Sequence, residues 1–367
     1  MISIEKPGGY DHLLYKELDE DSFTKGANYD FTDAPPCDEE SVVVETYAAG
    51  VNYADVIIRW GLYSSAKEFV GWPITPGFEF SGRVIKVGEK ASNFAVGDDV
   101  FGVTLFGGYS KRIKVPQRQI RHIPKEMTAS EAAGFPTIAL TAWYAMFESC
   151  KLRKGDRLLI HSVSGGVGSM LLQMGKIIGC HVTGIVGKSS KVQFAKDLGC
   201  DVVIDKSTCN LWEAVEKSNG GKFQAVFDAN GTETLGESFN HVDCGGRLVV
   251  YGFHTVMPKS DASSYGYLSM VNWLKIGWNA FNIPKFNPMQ LTEQNKSVMA
   301  FNLSFMFKKV DLFEEAMSDL LKWIEEGKLR VGKVTQYSLK EADKAHKDLE
   351  SGCTIGKLVL LSHEKDI

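Results

Sequence analysis

No C-x-x-C pair occurs in the chain, and its seven cysteines, at 37, 150, 180, 200, 209, 244 and 353, are scattered and odd in number. A disulfide framework and a structural zinc lobe are therefore not expected, and reduced thiols are. The eight histidines include no pair at metal-binding spacing. Charge of one sign is missing too. Lysine plus arginine number 41 against 45 acidic residues, a formal net charge of −4. Such a balance gives no electrostatic case for nucleic acid or an anionic membrane. No stretch reaches the roughly 18 uninterrupted apolar residues of a membrane span. Met1-Ile-Ser-Ile-Glu-Lys6 does not read as a signal peptide, so the expected address is cytoplasmic. Internal repeats and low-complexity tracts are also absent.

What is present is ordinary soluble globular composition: 367 residues, 44% hydrophobic and 23% charged, enough for two or three domains. The most informative stretch runs from Arg157 to Leu198. A short apolar run leads into Ser162-Val-Ser164-Gly165-Gly166-Val167-Gly168. An amphipathic segment follows with Met170, Leu171, Met174, Ile177 and Ile178 at helical spacing, and then a second apolar run, His181 to Val186. Strand, glycine turn, helix and strand make the βαβ unit that places a dinucleotide pyrophosphate at a helix N-terminus. Gly166 and its neighbours let backbone amides approach phosphate, and Gly168 lets the helix pack on the strand. Val163 occupies the first glycine position, so the fingerprint is partial.

Residues 1 to 135 are glycine-punctuated and β-rich. Ser41 to Tyr47, Arg83 to Val87 and Asp99 to Val103 read as short strands of a small barrel or sandwich. Asp19 to Glu40 reads as a polar surface excursion. From about Met127 the texture becomes alternating. An apolar helix covers Thr137 to Phe147, and strands are expected at Leu158–His161, Val182–Val186, Val202–Ile204, Ala225–Phe227 and Leu248–Tyr251. Helices are expected at Lys191–Leu198 and Thr232–Val242. This is the pattern of a doubly wound parallel sheet. The aromatic-rich stretch 255–290, with Tyr265, Tyr267, Trp273, Trp278, Phe281 and Phe286, reads first as core packing and second as a substrate mouth or subunit contact. Helices at Asp311–Gly327 and Glu341–Glu350 precede a closing strand, Lys357 to Leu361. That end returns to the short-strand texture and is expected to complete the N-terminal domain.

NAD-binding sites carry an acidic residue near the end of the second strand. Here the sequence is Ile185-Val186-Gly187-Lys188-Ser189-Ser190-Lys191, without a carboxylate. Room at Gly187 and the charges of Lys188 and Lys191 suit a ribose phosphate, so the expected cofactor is NADPH.

Three further stretches carry a resemblance. Gly50-Val-Asn52-Tyr53-Ala-Asp55 with Arg59-Trp-Gly-Leu-Tyr63 resembles the N-terminal active-site segment of quinone oxidoreductases. Thr75 to Gly82, Val87-Gly88 and Val96 to Val100 resemble the medium-chain dehydrogenase/reductase signature. Gly165 to Gly168 and Gly356-Lys357-Leu-Val-Leu fit the same superfamily. Phe286 to Lys296 and Ala300 to Ser304 are similar to its vesicle amine transport protein-like branch. The resemblance implies an α/β fold: a GroES-like β-barrel catalytic domain, 1–132 with 306–367, and a Rossmann NADPH-binding domain, 133–305. It also implies a homodimer, by pairing of Rossmann sheet edges. Zinc-dependent members have cysteine, histidine and cysteine where Asn52, Phe78 and about Thr137 stand, so no metal is expected.

Without a Lewis acid, a conjugated acceptor is the tractable substrate, because a quinone or enone spreads incoming negative charge over its own π-system. The expected reaction is zinc-independent transfer of hydride from NADPH to quinones. The alternatives are an alkenal or enone double-bond reductase, and a low-activity nucleotide-binding, vesicle-associated protein. The last needs a basic or amphipathic membrane face, and none stands out in the sequence. For the acceptor pocket the resemblance points to Asn52 and Tyr63, which can donate to a carbonyl oxygen; a turn asparagine and an interface-filling tyrosine are the competing readings. Asp55 is read as fixing backbone. Cofactor contacts are expected at Thr141, Ser164, Gly165, Gly166, Val167, Gly187, Lys188, Lys191, Gly252, Phe253, Phe301 and Asn302. Lys206 stands where relatives often have a tyrosine against adenine. His161, Ser162 and Ser164 are not read as a triad, since no acid is evident to orient the histidine.

Overall fold

The apolar run Leu158–Ile160 has covered faces on both sides, and that requires a central strand of a parallel sheet. In the computed structural model, which describes residues 1–17, 38–254, 270–306 and 309–363, Arg157–Ile160 is such a strand. It lies between His181–Val186 and Phe223–Asp228. The full order is Val202–Asp205, His181–Val186, Arg157–Ile160, Phe223–Asp228, Val242–Val250 and Ser297–Ala300, all parallel. The strand order, not the strand direction, reverses between Arg157–Ile160 and Phe223–Asp228, where the strand ends of open α/β sheets bind ligands.

A second, mainly antiparallel sheet is organised on the long strand Ser41–Val51, with one parallel pair between Val334–Ser338 and Lys357–Leu361. It pairs with Glu79–Val87, Arg112–Pro116 and Lys357–Leu361. Asp99–Val103, Ile120–His122 and Val334–Ser338 extend the sheet. Register shifts between Val43 and Val44 and between Thr46 and Ala48 bend the strand, as bulges do at barrel corners. The closing strand joins the N-terminal sheet through Leu358 opposite Val51 and Leu360 opposite Ala49. The last described strand thus completes the N-terminal sheet.

The helix Pro136–Trp143 joins the two sheets. Its start is favoured by Pro136 at the first turn, and almost every residue in it is buried. Ile138 and Leu140 pack in one core with Phe78, Phe101 and Phe135 on the barrel side and with Leu158, Met170 and Met174 on the other. A π-turn at Tyr144–Glu148 ends it. The amphipathic helix Val310–Glu325 buries Ala316, Met317, Leu320 and Ile324 in the same core, and Asp319 accepts a hydrogen bond from Trp143 Nε1 at 3.0 Å.

Several expected elements shift. The helix read at Thr232–Val242 is only Leu235–Asn240, because Thr234 Oγ1 turns back to the Asp228 carboxylate at 2.7 Å. The strand read from Leu248 begins at Val242, carrying Gly245 and Gly246 within it. Positions 19–37 of the expected excursion lie outside the described residues, as do Tyr265, Tyr267 and the Trp273 side chain. Phe286 packs on Phe239, centroids 5.1 Å apart. Trp278 and Phe281 do not pack in the core. On the helix Met270–Phe281 they are 70% and 79% exposed, beside exposed Met270 and Leu274. This is the apolar face that the sequence reading did not detect: the residues recur at helical spacing, with nothing over them among the described residues.

Candidate active site

The turn after Arg157–Ile160 brings the predicted pyrophosphate residues together. Ser164 is buried, and Gly165, Gly166 and Val167 are half-buried at the start of the helix Gly166–Ile178. Gly165 N donates to Ser162 O at 2.9 Å, which corrects the expectation that its amide faces the cofactor; the first-turn amides that follow it and the helix dipole favour an anion. A Cβ on Gly168 would fall 2.3 Å from the Ser162 carbonyl oxygen, so close packing requires glycine there. A Cβ on Gly166 would fall 2.8 Å from Ile138 Cγ2, so that glycine also answers to the linking helix. The turn is held from the far end of the chain, where Gly356 N donates to Ser164 O at 2.8 Å.

At the end of the second strand Gly187 and Lys188 are exposed, and Lys191 is partly covered. Burial, then Lys188, lowers the Lys191 pKa, while Cys353 opposes. Lys191 Nζ donates to Gly352 O at 2.7 Å, and Lys188 Nζ lies 2.7 Å from Cys353 Sγ. Lys206 is close by, since a Cβ on Gly187 would sit 3.7 Å from Lys206 Cε. One carboxylate is near as well: Asp205, from the third strand, accepts from Ser189 Oγ at 2.5 Å. Three lysines and that one half-buried acid make a cationic mouth.

The acceptor candidates lie on the barrel side. Asn52 precedes the helix Tyr53–Arg59, and Asp55 fixes it there by accepting from Asn52 N and Gly77 N, both at 2.8 Å. Asp55 is fully buried, and burial pushes its carboxyl up to about 7. The Asn52 side chain is engaged on both sides. Its Nδ2 donates to Glu79 Oε1 at 2.8 Å, and its Oδ1 accepts from Lys357 Nζ at 2.5 Å. Lys357 and Glu79 form an ion pair at 2.7 Å with 3% and 0% of their side chains exposed. Tyr63 is drawn to the other wall of the site: its hydroxyl donates to Asn302 Oδ1 at 3.0 Å and approaches Ser304 Oγ at 3.4 Å. Burial raises its pKa. Phe301 packs on Tyr144 in a tilted pair, centroids 4.6 Å apart, and follows the edge strand, its N–H donating to Val250 O. Thr141 donates its hydroxyl to Thr137 O at 2.7 Å. Gly252 and the 39% exposed Phe253 follow the strand Val242–Val250, beyond its carboxyl end.

Two family models match in this order: an alcohol dehydrogenase GroES-like domain over residues 38–125, and a zinc-binding dehydrogenase over 166–323. Quinone oxidoreductase from Salmonella typhimurium is 29% identical over 339 residues, 90% of this chain and 94% of that protein. The chain has the paired domains of a medium-chain dehydrogenase/reductase and is similar to quinone oxidoreductases over nearly its whole length. The rat synaptic vesicle membrane protein VAT-1 homolog is 26% identical over 322 residues, 87% of this chain and 76% of that one. Among solved structures, Pseudomonas syringae quinone oxidoreductase matches with TM-score 0.79 and 26% identity over 98% of both chains. Escherichia coli quinone oxidoreductase complexed with NADPH matches with TM-score 0.78 and 25% identity, over 98% of this chain and 99% of that one.

Within this quinone oxidoreductase-like fold, the positions that carry zinc ligands in other medium-chain members are otherwise occupied. Phe78 is buried against Tyr63 and Phe106, with centroids at 5.8 and 5.3 Å. Thr137 N donates to Glu79 Oε2 at 2.8 Å. Among the described residues, no group of three or more histidine, cysteine or acidic side chains is placed to hold a metal.

The His161 reading needs correction, because an acid does face it. His161 Nε2 lies 3.7 Å from Asp228 Oδ2 and 3.0 Å from Ser238 Oγ, and Asn230 Nδ2 meets its Nδ1 at 3.1 Å. The parallel register sets the ends of the two strands side by side, a pairing that no local pattern reveals. His161, Ser238 and Asp228 are all fully buried, and burial first of all lowers the histidine pKa. Sealed from solvent, the group ties the switch point together and offers no nucleophile to a substrate. Sequence reasoning also missed Lys357. The available signal was a lysine opening an otherwise apolar closing strand.

Proposed function

We propose that this chain is an NADPH-dependent, zinc-independent reductase that passes hydride to quinones. The observation that carries this reading is the glycine turn Ser164–Gly168 at a helix N-terminus, with Lys188, Lys191 and Lys206 at the end of the neighbouring strands. Amides of Gly166 and Val167 would hold the pyrophosphate, Gly165 shaping the turn because its own N–H donates to Ser162 O at 2.9 Å, and Lys188 and Lys191 would hold the ribose phosphate. The E. coli relative complexed with NADPH supports this choice. NADPH supplies the hydride when bound. Thr141, Gly252, Phe253, Phe301 and Asn302 would line the cofactor. Asn52 would donate an amide N–H to the acceptor oxygen, and Tyr63, tied to Asn302, would wall the pocket.

The chain divides at 132/133 and 305/306 in this reading, with helix Val310–Glu325 packing back on the linking helix. A homodimer would pair edge strands Ser297–Ala300, where Met299 is 38% exposed. The expected location is the cytosol, and among the described residues no helix is long and apolar enough to cross a membrane.

Fluorescence titration with NADPH and NADH, followed by turnover of a quinone panel and an enal panel, tests the proposal. NADPH preferred and quinones turned over is the expected result. Enals turned over in their place would establish the double-bond reductase. The exposed face of Met270, Leu274, Trp278 and Phe281 gives the vesicle-associated reading its one observation. Tight NADPH binding without turnover, together with liposome pelleting, would favour it.

A further inference from the structure

Lys357 is a buried charge that hydride transfer as described leaves without a task. It opens the strand Lys357–Leu361, and the register that sets Leu358 opposite Val51 carries it alongside Asn52. Its ammonium donates to Asn52 Oδ1 at 2.5 Å and to Glu79 Oε1 at 2.7 Å. Glu79 accepts from Asn52 Nδ2 with the same oxygen and from Thr137 N with the other. An ammonium can only donate, and a carboxylate can only accept. An amide wedged between them has one allowed orientation. Turned over, it would set its NH2 against the ammonium and its carbonyl oxygen against the carboxylate, losing two charge-assisted bonds at once.

We propose that Lys357 and Glu79 form an orientation lock on Asn52, so that Lys357 is a positioning residue that decides which edge of the amide meets the acceptor. Glu79 takes one of the two Nδ2 hydrogens, and the other is left to the pocket. A carbonyl oxygen needs a donor, so the locked orientation is the one that suits a quinone or enone. The inference rests on the reading that Asn52 meets the acceptor.

Removing Lys357 alone leaves the buried Glu79 carboxylate uncompensated, which endangers folding. The decisive variant is therefore the double substitution Lys357→Met with Glu79→Gln. The neutral amide introduced by Glu79→Gln can donate or accept, so either Asn52 orientation is satisfied. Lys357→Arg keeps a donor-only partner and should preserve the lock.

Amide exchange by NMR on protein carrying isotope-labelled asparagine reads the lock without any turnover, the Asn52 signal being assigned by its loss in Asn52→Ala. Exchange of the Asn52 side-chain amide should speed up about tenfold or more in the double variant, as expected when charge-assisted bonds are lost, and stay at the wild-type rate in Lys357→Arg. Unchanged exchange in the double variant overturns the lock. With a naphthoquinone as acceptor, kcat of the double variant should fall about tenfold while NADPH affinity by fluorescence stays within about threefold, the split expected of a group acting at the acceptor. The same double change on an Asn52→Ala background should cost nothing further in kcat. A full additional loss there, or unchanged kcat beside faster exchange, overturns the positioning role. Wild-type protein without naphthoquinone turnover would count against the functional reading alone, and exchange would still decide the lock.

Discussion

The ammonium of Lys188 lies 2.7 Å from the thiol sulfur of Cys353, joining the loop after the second Rossmann strand to the loop before the last strand of the chain. Lys188, first of all, and then Ser351 lower the Cys353 pKa. Cys353 is exposed. A lowered thiol pKa means a larger thiolate fraction at neutral pH, and thiolate is the reactive form. Iodoacetamide should therefore modify Cys353 ahead of exposed Cys209 and Cys244, as read by mass spectrometry at pH 7. Lys188→Met should slow that reaction severalfold, and NADPH should protect the thiol by drawing Lys188 away. Equal labelling of all three thiols would defeat the prediction.

In the proposed function Lys188 and Lys191 carry the cofactor choice. Replacing either with alanine should weaken NADPH binding by about 10- to 100-fold, the worth of a charge-assisted bond of roughly 1.5–3 kcal/mol. NADH affinity should move little. Fluorescence titration of both nucleotides checks this, and parallel losses for the two would point to a general structural effect.

Gly166→Val tests the glycine turn, but the structure adds a condition. The new side chain meets Ile138 as well as any phosphate. Overpacking of this kind costs about 1–3 kcal/mol of stability. Adding Ile138→Ala should recover much of the melting temperature without restoring NADPH binding. Recovery of binding by the second substitution would mean that only packing was at fault.

Asp55 and His346 should make stability depend on pH in opposite senses. Tyr109 links them, its hydroxyl 3.2 Å from Asp55 Oδ2 and 3.2 Å from His346 Nε2. Burial first, then Arg59, holds His346 well below its ordinary pKa of 6.5. Below that pH the unfolded chain takes up a proton that the folded chain refuses, so stability falls as pH falls. Asp55, raised to about 7 from 3.8, behaves in reverse: the folded chain keeps a proton that the unfolded chain has lost, so stability falls as pH rises from about 4 to 7. Between about pH 4 and 6.5 the two slopes oppose each other. His346→Gln should remove one slope, gaining on wild type by up to about 1.4 kcal/mol per pH unit below 6.5. Urea midpoints at several pH values measure it, and a pH-independent difference would show that His346 does not contribute.

Local pattern made much of this molecule readable. The run Leu158–Ile160, the glycines after it and the spaced apolar residues of the following helix are all neighbours in sequence, so the parallel sheet followed from them. Short strands between glycines announced the barrel. Lys357 beside Asn52, and Asp228 facing His161, are products of strand register across long stretches of chain. Periodicity sees a residue's own element, whereas register depends on which strands pair. Exposure is hidden for a related reason. Met270, Leu274, Trp278 and Phe281 have the spacing of a packed helix, and only their exposure among the described residues distinguishes this one.

The bond from Gly356 to Ser164 O has a consequence for biosynthesis. Lys357 reaches Asn52 from the same segment. A ribosome thus exposes the glycine turn and the barrel long before it releases the residues that finish either one. Nascent chains short of Gly356 should be unable to retain nucleotide, so cofactor capture would wait until Gly356 and Lys357 have emerged.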